Sequence, residues 1–318
     1  MLRISRQIQG LLAFLGLVLT SLAWAAPATA ANCDRACLVK TMDDYLAALA
    51  ARDPARLELA SDVRYTENTN DMALGDGFWG TVDSIGPGRF DLVDPVSGQI
   101  FTYTEGKENG HGVLYGVRLK SRDSRLTEIE AFVIRPGPAI FGTFDGLPPV
   151  DPFWNEPLKP SERRSRPELI AAANQYFEGL EQDTGMVVPF ADDCTRVENG
   201  VQTAPNRATP TRPSMTCKES FNAKRYTYIT EVTERRFLVV DEDRGIVFGT
   251  FMFQHPGDVK TSDWEEVSKN RDSLIVYPNT TMAIEAFKVV DGQIRRIHAF
   301  VLLNAYRQKP GWPVLARP

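Results

Sequence analysis

The chain has 318 residues, 36 Lys and Arg against 41 Asp and Glu, and a formal charge of −5 at neutral pH. An acidic chain without a basic cluster argues against a nucleic-acid partner, because phosphate binding draws on grouped Lys and Arg. The length is too great for one ordinary small domain and suits two.

Arg3 and Arg6, the apolar run 11–22 and the small-residue stretch "AWAAPATAAN" follow the order of a Sec-type signal peptide, residues 1–30, with cleavage after Ala30 and Ala25 as second choice. A dozen apolar residues fall short of the roughly 20 needed to span a bilayer. The expected location is therefore secreted or periplasmic, with no membrane contact once the signal is removed. Its removal takes two arginines and no acid, leaving 34 basic and 41 acidic side chains. All four cysteines, Cys33, Cys37, Cys194 and Cys217, follow the signal. An even count in an oxidising compartment reads as disulfides, with three pairings open and the local pairs 33–37 and 194–217 favoured. Zinc is the rival reading of four thiols, but the spacing is not that of a zinc ribbon, and three dispersed histidines make a histidine metal site poor, so no metal is expected.

Leu38, Met42, Tyr45, Leu46 and Leu49 recur at three- and four-residue steps and predict an amphipathic helix. Slid by 131 residues, "RACLVKTMDDYLAAL" lies over "RPELIAAANQYFEGL", and the register runs on without a gap to "TEN" over "VEN", pairing Tyr45 with Tyr176 and Glu67 with Glu198. Eight of those 34 positions are identical. The closing strands match at a shift of 168, "LTEIEAFVI" over "IRRIHAFVL", with Glu130 exchanged for His298; the difference of 37 is an insertion in the second copy. Repetition on this scale predicts two domains of one kind. Ser165, Pro167 and Glu168 form a capping box for the second helix. In "RRFLVVDEDRGIVFGTFMF" the residues 241–245 separate two β-rich runs as a hairpin loop does, and Asp291-Gly292 makes the last turn. The Pro-rich stretch "GLPPVDPFWNEPLKPSERR" reads as an extended linker. Helices followed by strands give an α+β fold, with a first domain at 31–145, a linker at 146–165 and a second domain at 166–318.

"YLAAL", "RDP", "VRYTEN", "LGDGFWG" and "LTEIEAFV", with the diverged counterparts "YFEGL", "RVENG", "RRFLVVDEDRGIVFG" and "RRIHAFV", resemble a SnoaL-like domain of the nuclear transport factor 2-like superfamily in two fused copies. The resemblance covers nearly all of the chain after the signal. It implies two cone-shaped domains, each a curved antiparallel sheet packed on N-terminal helices around a pocket. It also implies an intramolecular pseudo-dimer, since many members are homodimers. Members include isomerases, cyclases, dehydratases and lyases that need no cofactor, alongside pure binding and scaffolding proteins, so fold alone does not decide function.

Six residues are candidates for chemistry. Glu130 and Phe132 share one strand face, as do His298 and Phe300, while Ile129, Ala131 and Val133 share the other. If the first face lines the cone, each pocket gains a titratable group beside an aromatic wall. If it is the outer face, the two groups meet at a domain contact. Glu67 and Glu198 either serve as bases or tie a strand end to a loop backbone in both copies. Tyr45 and Tyr176 either dip a hydroxyl into each cone or sit in the core with the tip satisfied. "GDGFWG" fits a dinucleotide fingerprint but opens no βαβ unit, "DTG" at 183–185 has no second copy, and "NTT" at Asn279 fits a glycosylation acceptor. Arg235, Arg236, Arg295 and Arg296 either orient an acidic substrate or sit on solvated faces.

The function this favours is a cofactor-free acid–base enzyme, of lyase, isomerase or dehydratase type, acting on a small, partly apolar or aromatic molecule. His298 leads as base with Tyr176 and Glu198 as orienting groups, and Glu130, Tyr45 and Glu67 hold the matching places in the other copy. The rival is a non-catalytic module that binds a small molecule or a protein.

Overall fold

The apolar stripe of helix α1 (Arg35–Ala50) buries Leu38, Met42, Tyr45, Ala48 and Leu49 against a six-stranded sheet. The computed structural model describes residues 33–137, 140–208, 213–259, 269 and 276–313, so the expected signal segment lies outside the described residues. Strands β1 (Leu59–Glu67) and β2 (Asn70–Asp71), the one-turn helix α2 (Phe78–Thr81), and strands β3 (Val82–Asp94), β4 (Gln99–Glu108), β5 (His111–Arg122) and β6 (Arg125–Ile134) complete the first half, with sheet order β2-β1-β6-β5-β4-β3.

The second half repeats the plan. Helix α3 (Arg166–Glu181) starts at the expected capping box on Ser165 and Glu168. Strands β7 (Phe190–Glu198) and β8 (Val201–Ala204), helix α4 (Cys217–Asn222), and strands β9 (Glu231–Asp241), β10 (Ile246–His255), β11 (Asn279–Val290) and β12 (Gln293–Asn304) follow, in the order β8-β7-β12-β11-β10-β9. The architecture is α+β with two sheets of six strands. Each sheet is mixed rather than wholly antiparallel, because β1 runs parallel to β6 and β7 parallel to β12. The chain can join them in parallel because β2 through β5 lie between them in sequence. The β11–β12 turn is the expected Asp291-Gly292, both at positive φ as a two-residue hairpin turn requires.

The 37 extra residues fall in two places. Asp94 and Asp241 end matching strands 147 positions apart, whereas His111 and Asn279 open matching strands 168 apart. Sixteen extra residues therefore precede β9, in the stretch that carries α4, and 21 lie between β10 and β11. Both expected disulfides are formed, and Cys194–Cys217 ties β7 to α4.

Each sheet has two buried faces. The inner face of the first carries Ile129, Ala131 and Val133 onto α1, and that of the second carries Ile297, Ala283 and Phe287 onto α3. The outer faces pack on each other through Phe90, Phe101, Tyr103 and Phe132 on one side and Phe248, Met252, Ile284 and Phe300 on the other. Phe101 and Phe248, at matching positions of β4 and β10, stack with centroids 3.9 Å apart. The Tyr103 hydroxyl donates across the joint to the carbonyls of Ile284 and His298, at 2.9 and 3.0 Å. Residues 146–165 are less extended than their proline content suggests: short 3-10 turns at Pro152–Asn155 and Pro160–Glu162 press Trp154 into the same joint, with its ring 4.9 Å from that of Phe90. Burying aromatic area is the largest apolar contribution such an interface can make.

Candidate functional site

The "EN" pair at the end of β1 and β7 does two jobs. Asn68 and Asn199 both adopt left-handed backbone, and each brackets the neighbouring strand. Asn68 donates to the Val133 carbonyl at 2.9 Å and accepts from its N–H at 2.8 Å; Asn199 donates to the Val301 carbonyl at 3.4 Å and accepts from its N–H at 2.9 Å. That is a structural reason for writing the pair twice.

The glutamates beside them differ. Glu67 accepts from the Phe78 N–H at 2.7 Å and the Tyr65 hydroxyl at 3.1 Å, and pairs with Arg135 at 3.2 Å, so it ties α2 to the sheet. Gly77 leaves room for this, since a Cβ there would sit 2.4 Å from the Glu67 carboxylate. The "GDGFWG" stretch thus serves to seat α2. Tyr45, fully buried, shares a 2.8 Å hydrogen bond with the Tyr115 hydroxyl and accepts from the Trp79 indole at 3.2 Å. Burial raises the Tyr45 phenol well above its ordinary range. Trp79, Phe78 and Tyr115 fill the inner space of the first half.

In the second half the matching space holds a cavity of about 100 Å³, lined among others by Tyr176, Arg196, Glu198, Tyr226, Tyr228 and His255. Tyr226 and Tyr228 come from the stretch between β8 and β9 that carries α4, and line the cavity. Arg196 replaces Tyr65 of the first half. It is buried, pairs with Glu198 at 3.4 Å, donates to the Tyr176 hydroxyl at 3.4 Å and to the Tyr226 hydroxyl, and lies 5.1 Å over the Tyr226 ring. Glu285, on β11, stands beside these groups, with its Oε2 buried and without a partner. Burial, and then the Glu198 carboxylate, push its pKa up to about 8, so at neutral pH it is a carboxylic acid. Burial likewise raises the Tyr176 phenol well above its usual range, with Glu285 adding to it, and lowers His255 to about 3, leaving that imidazole neutral against the edge of Tyr228. One ion pair, one acid raised by burial and one phenol around a partly enclosed cavity can abstract a proton and stabilise the oxyanion that forms.

Glu130 and His298 are in neither inner space. Their strand faces are the outer ones, because Ile129, Ala131 and Val133 are taken up by α1, so the placement of both groups in a cone is corrected to the joint between the sheets. Glu130 is 1% exposed and bridges Arg118, at 2.8 Å, and Arg236 of the other sheet, at 2.6 Å. The attraction of these two guanidiniums outweighs burial and holds its carboxyl below the usual range, which suits an ion pair and not a general acid. His298 is 8% exposed, stands edge-on to Tyr103 at 4.6 Å and lines a separate cavity. Burial pushes its pKa down to about 4. It therefore does not share a site with Tyr176 and Glu198, and its expected role as their base has no geometric support.

The arginines proposed for an acidic substrate are all engaged: Arg235 with Glu178 and Glu181, Arg236 with Glu130, Arg295 with Asp193, and Arg296 with Asp151. Asn279, at 6% exposure on β11, is closed to glycosylation in the folded chain. Glu285, Arg196, Tyr226, Tyr228 and His255 were not singled out by sequence. A signal existed for the first, a lone acid in the apolar run "MAIEAFKVV" where the first half has Val117.

The profile of a domain of unknown function (DUF8021) matches residues 162–301, the second half of the chain. No curated protein matches in sequence. Solved structures that align include a candidate isomerase from Bacillus subtilis, 11% identical over 43% of this chain and 87% of that one, at a TM-score of 0.27. A candidate ketosteroid isomerase from Kribbella flavida DSM 17836 is 14% identical over 36% and 84%, at 0.26. A de novo designed protein with a curved β-sheet is 19% identical over 31% and 87%, at 0.27. Scores at this level carry no function over to the chain.

Proposed function

We propose that the halves are two copies of one SnoaL-like unit, and that the second is a cofactor-free acid–base enzyme of isomerase, lyase or dehydratase type for a small, partly apolar molecule. The observation that carries this is Glu285, buried with an unpartnered oxygen beside Tyr176 and the Arg196–Glu198 ion pair. Glu198, 21% exposed at its side chain, acts as the base at the open edge of the cavity. Tyr176 and Glu285 stabilise the developing oxyanion, as a buried neutral acid can. Arg196 pairs with Glu198 and holds it in place. Glu130, Tyr45 and Glu67 hold the fold.

The test is turnover on a panel of small β,γ-unsaturated ketones and β-hydroxy carbonyl compounds. Glu198→Gln is expected to remove activity, Tyr176→Phe to lower kcat by 10- to 100-fold, and Tyr45→Phe to leave it unchanged. Equal activity in all three variants would refute the assignment. At about 100 Å³ the cavity is well below the roughly 300 Å³ at which ordinary ligand pockets begin, so its occupant, substrate or ligand, must be small. Ligand-induced thermal stabilisation without turnover would decide for a binding module instead of an enzyme. In either case the chain is taken to act outside the cytoplasm, without nucleic acid or membrane, on a small-molecule partner.

A further inference from the structure

The joint between the sheets is nearly symmetric, and its one large break lies at His298. On one side Glu130 sits opposite Arg118 in the β5–β6 ladder and pairs with Arg236 of the other sheet. On the other side His298 sits opposite Ala286 in the β11–β12 ladder. Phe90 takes the place of Arg236, facing Tyr103 in its ladder as Arg236 faces Thr250. Three charged side chains have become His, Ala and Phe. The net loss of side-chain volume coincides with a cavity of about 430 Å³.

Its lining is built for a flat ring. Phe90 and Tyr103 lie nearly parallel at 5.7 Å, His298 stands edge-on to both, and Pro87, Pro148 and Pro149 close other sides. One lining group holds a buried polar atom without a partner, Nε2 of His298. The lining carboxylate, Glu105, is already used: it accepts from the Gly88 N–H at 3.2 Å and the Leu147 N–H at 3.0 Å, fastening the proline-rich strap over the cavity. Arg89 is charge-matched by Asp91 and Asp43. With Glu105 nearby, the surroundings carry excess negative charge and disfavour an anion.

We infer that this inter-sheet cavity is a binding site for a neutral aromatic molecule bearing a hydroxyl group, distinct from the cavity of the second half. The ring stacks among Phe90, Tyr103 and the prolines. A hydroxyl O–H can donate to an unprotonated imidazole nitrogen, so such a group answers the orphaned atom of His298. The site needs no activity from Glu198 and stands whether or not the catalytic reading does.

The experiment is calorimetry and saturation-transfer NMR on the chain without its signal segment at pH 7, using three probes that share a ring: 4-methylphenol, toluene and 4-methylbenzoate. The phenol is expected to bind at least ten-fold more tightly than the other two. His298→Phe removes the nitrogen, and Val150→Trp fills the cavity from the half-buried strap without touching either sheet. Each should weaken 4-methylphenol at least ten-fold, while Tyr228→Ala, in the other cavity, should not. Thermal melts confirm that the variants fold. No binding to the wild type, a preference for the benzoate, or affinity unchanged in both His298→Phe and Val150→Trp overturns the inference.

Discussion

Replacing Glu285 by Gln tests the electrostatics of the second half most directly. Gln keeps the shape and polarity of the neutral acid, so below pH 4.5 the two proteins differ little. In the folded chain Glu285 keeps its proton up to about pH 8, whereas unfolded it gives the proton up from about 4.5. A raised folded pKa contributes stability that is complete below the unfolded value and lost as pH climbs through the folded one, because the native state then binds a proton the unfolded state does not. The loss runs at about 1.4 kcal/mol per pH unit. Relative to Glu285→Gln, the wild type should therefore be less stable by about 2 kcal/mol at pH 6 and about 4 kcal/mol at pH 8. Urea unfolding of both proteins at unit steps from pH 5 to 9 reads the difference. Parallel stability curves would mean that Glu285 is ionised in the native state, paired with Arg196, and the neutral-acid argument would fail along with its role in oxyanion stabilisation.

Two further outcomes follow from the joint. Glu130→Gln leaves Arg118 and Arg236 buried around an uncharged group, with Glu128 still reaching Arg118 at 2.8 Å. Breaking a buried pair costs about 3 to 5 kcal/mol, and the lower end is expected here in urea denaturation, with no change in the properties of the second-half cavity. On the acid side, His298 is neutral in the fold down to about pH 4 but titrates near 6.5 when unfolded, so its contribution is complete above 6.5 and drains away as pH falls toward 4. From pH 7 to 4.5 the wild type should lose about 2 to 3 kcal/mol more than His298→Phe, measured by thermal melts at both pH values; equal losses would show a solvated imidazole.

Much of the architecture was legible because it rests on short-range rules. The helix stripe from Leu38 to Leu49, the capping box at Ser165 and Glu168, the Asp291-Gly292 turn and the two local disulfides each follow from spacing alone. The strand faces were legible too: Glu130 and Phe132 do lie together, opposite Ile129 and Ala131. Which face would meet a helix was not, since in a sheet buried on both sides Ile and Phe serve either layer equally well, and only the docking of the second sheet decides. The parallel pairing of β1 with β6 was hidden for a similar reason, being a contact between strands almost 60 residues apart with no local signature. The candidate site was half visible. Tyr176 and Glu198 came from the repeat, but Arg196 and Glu285 occupy positions where the first half has Tyr65 and Val117, and a comparison built on identity passes over what has changed.

That last point bears on how the two halves divide their work. On the proposed duplication, the halves begin with two equal inner spaces and a symmetric joint. In the first half, Trp79, Phe78 and Tyr115 fill the inner space, and every hydroxyl and indole there finds a partner, which favours rigidity. In the second, one arginine and one further acid, Arg196 and Glu285, enter the same layer, the acid raised by burial toward its protonated form, which costs stability at neutral pH and is the kind of local conflict that structural demands alone do not retain. The joint is asymmetric too: its charged corner belongs to Glu130 of the first half, and its open corner to His298 of the second. The inner space of the first half and the Glu130 corner are filled with hydrogen bonds and ion pairs, whereas the second half lines the cavity beside Glu285, so substitutions that impair chemistry without unfolding the chain should concentrate in residues 166–304, and those that unfold it in the first sheet and at Glu130.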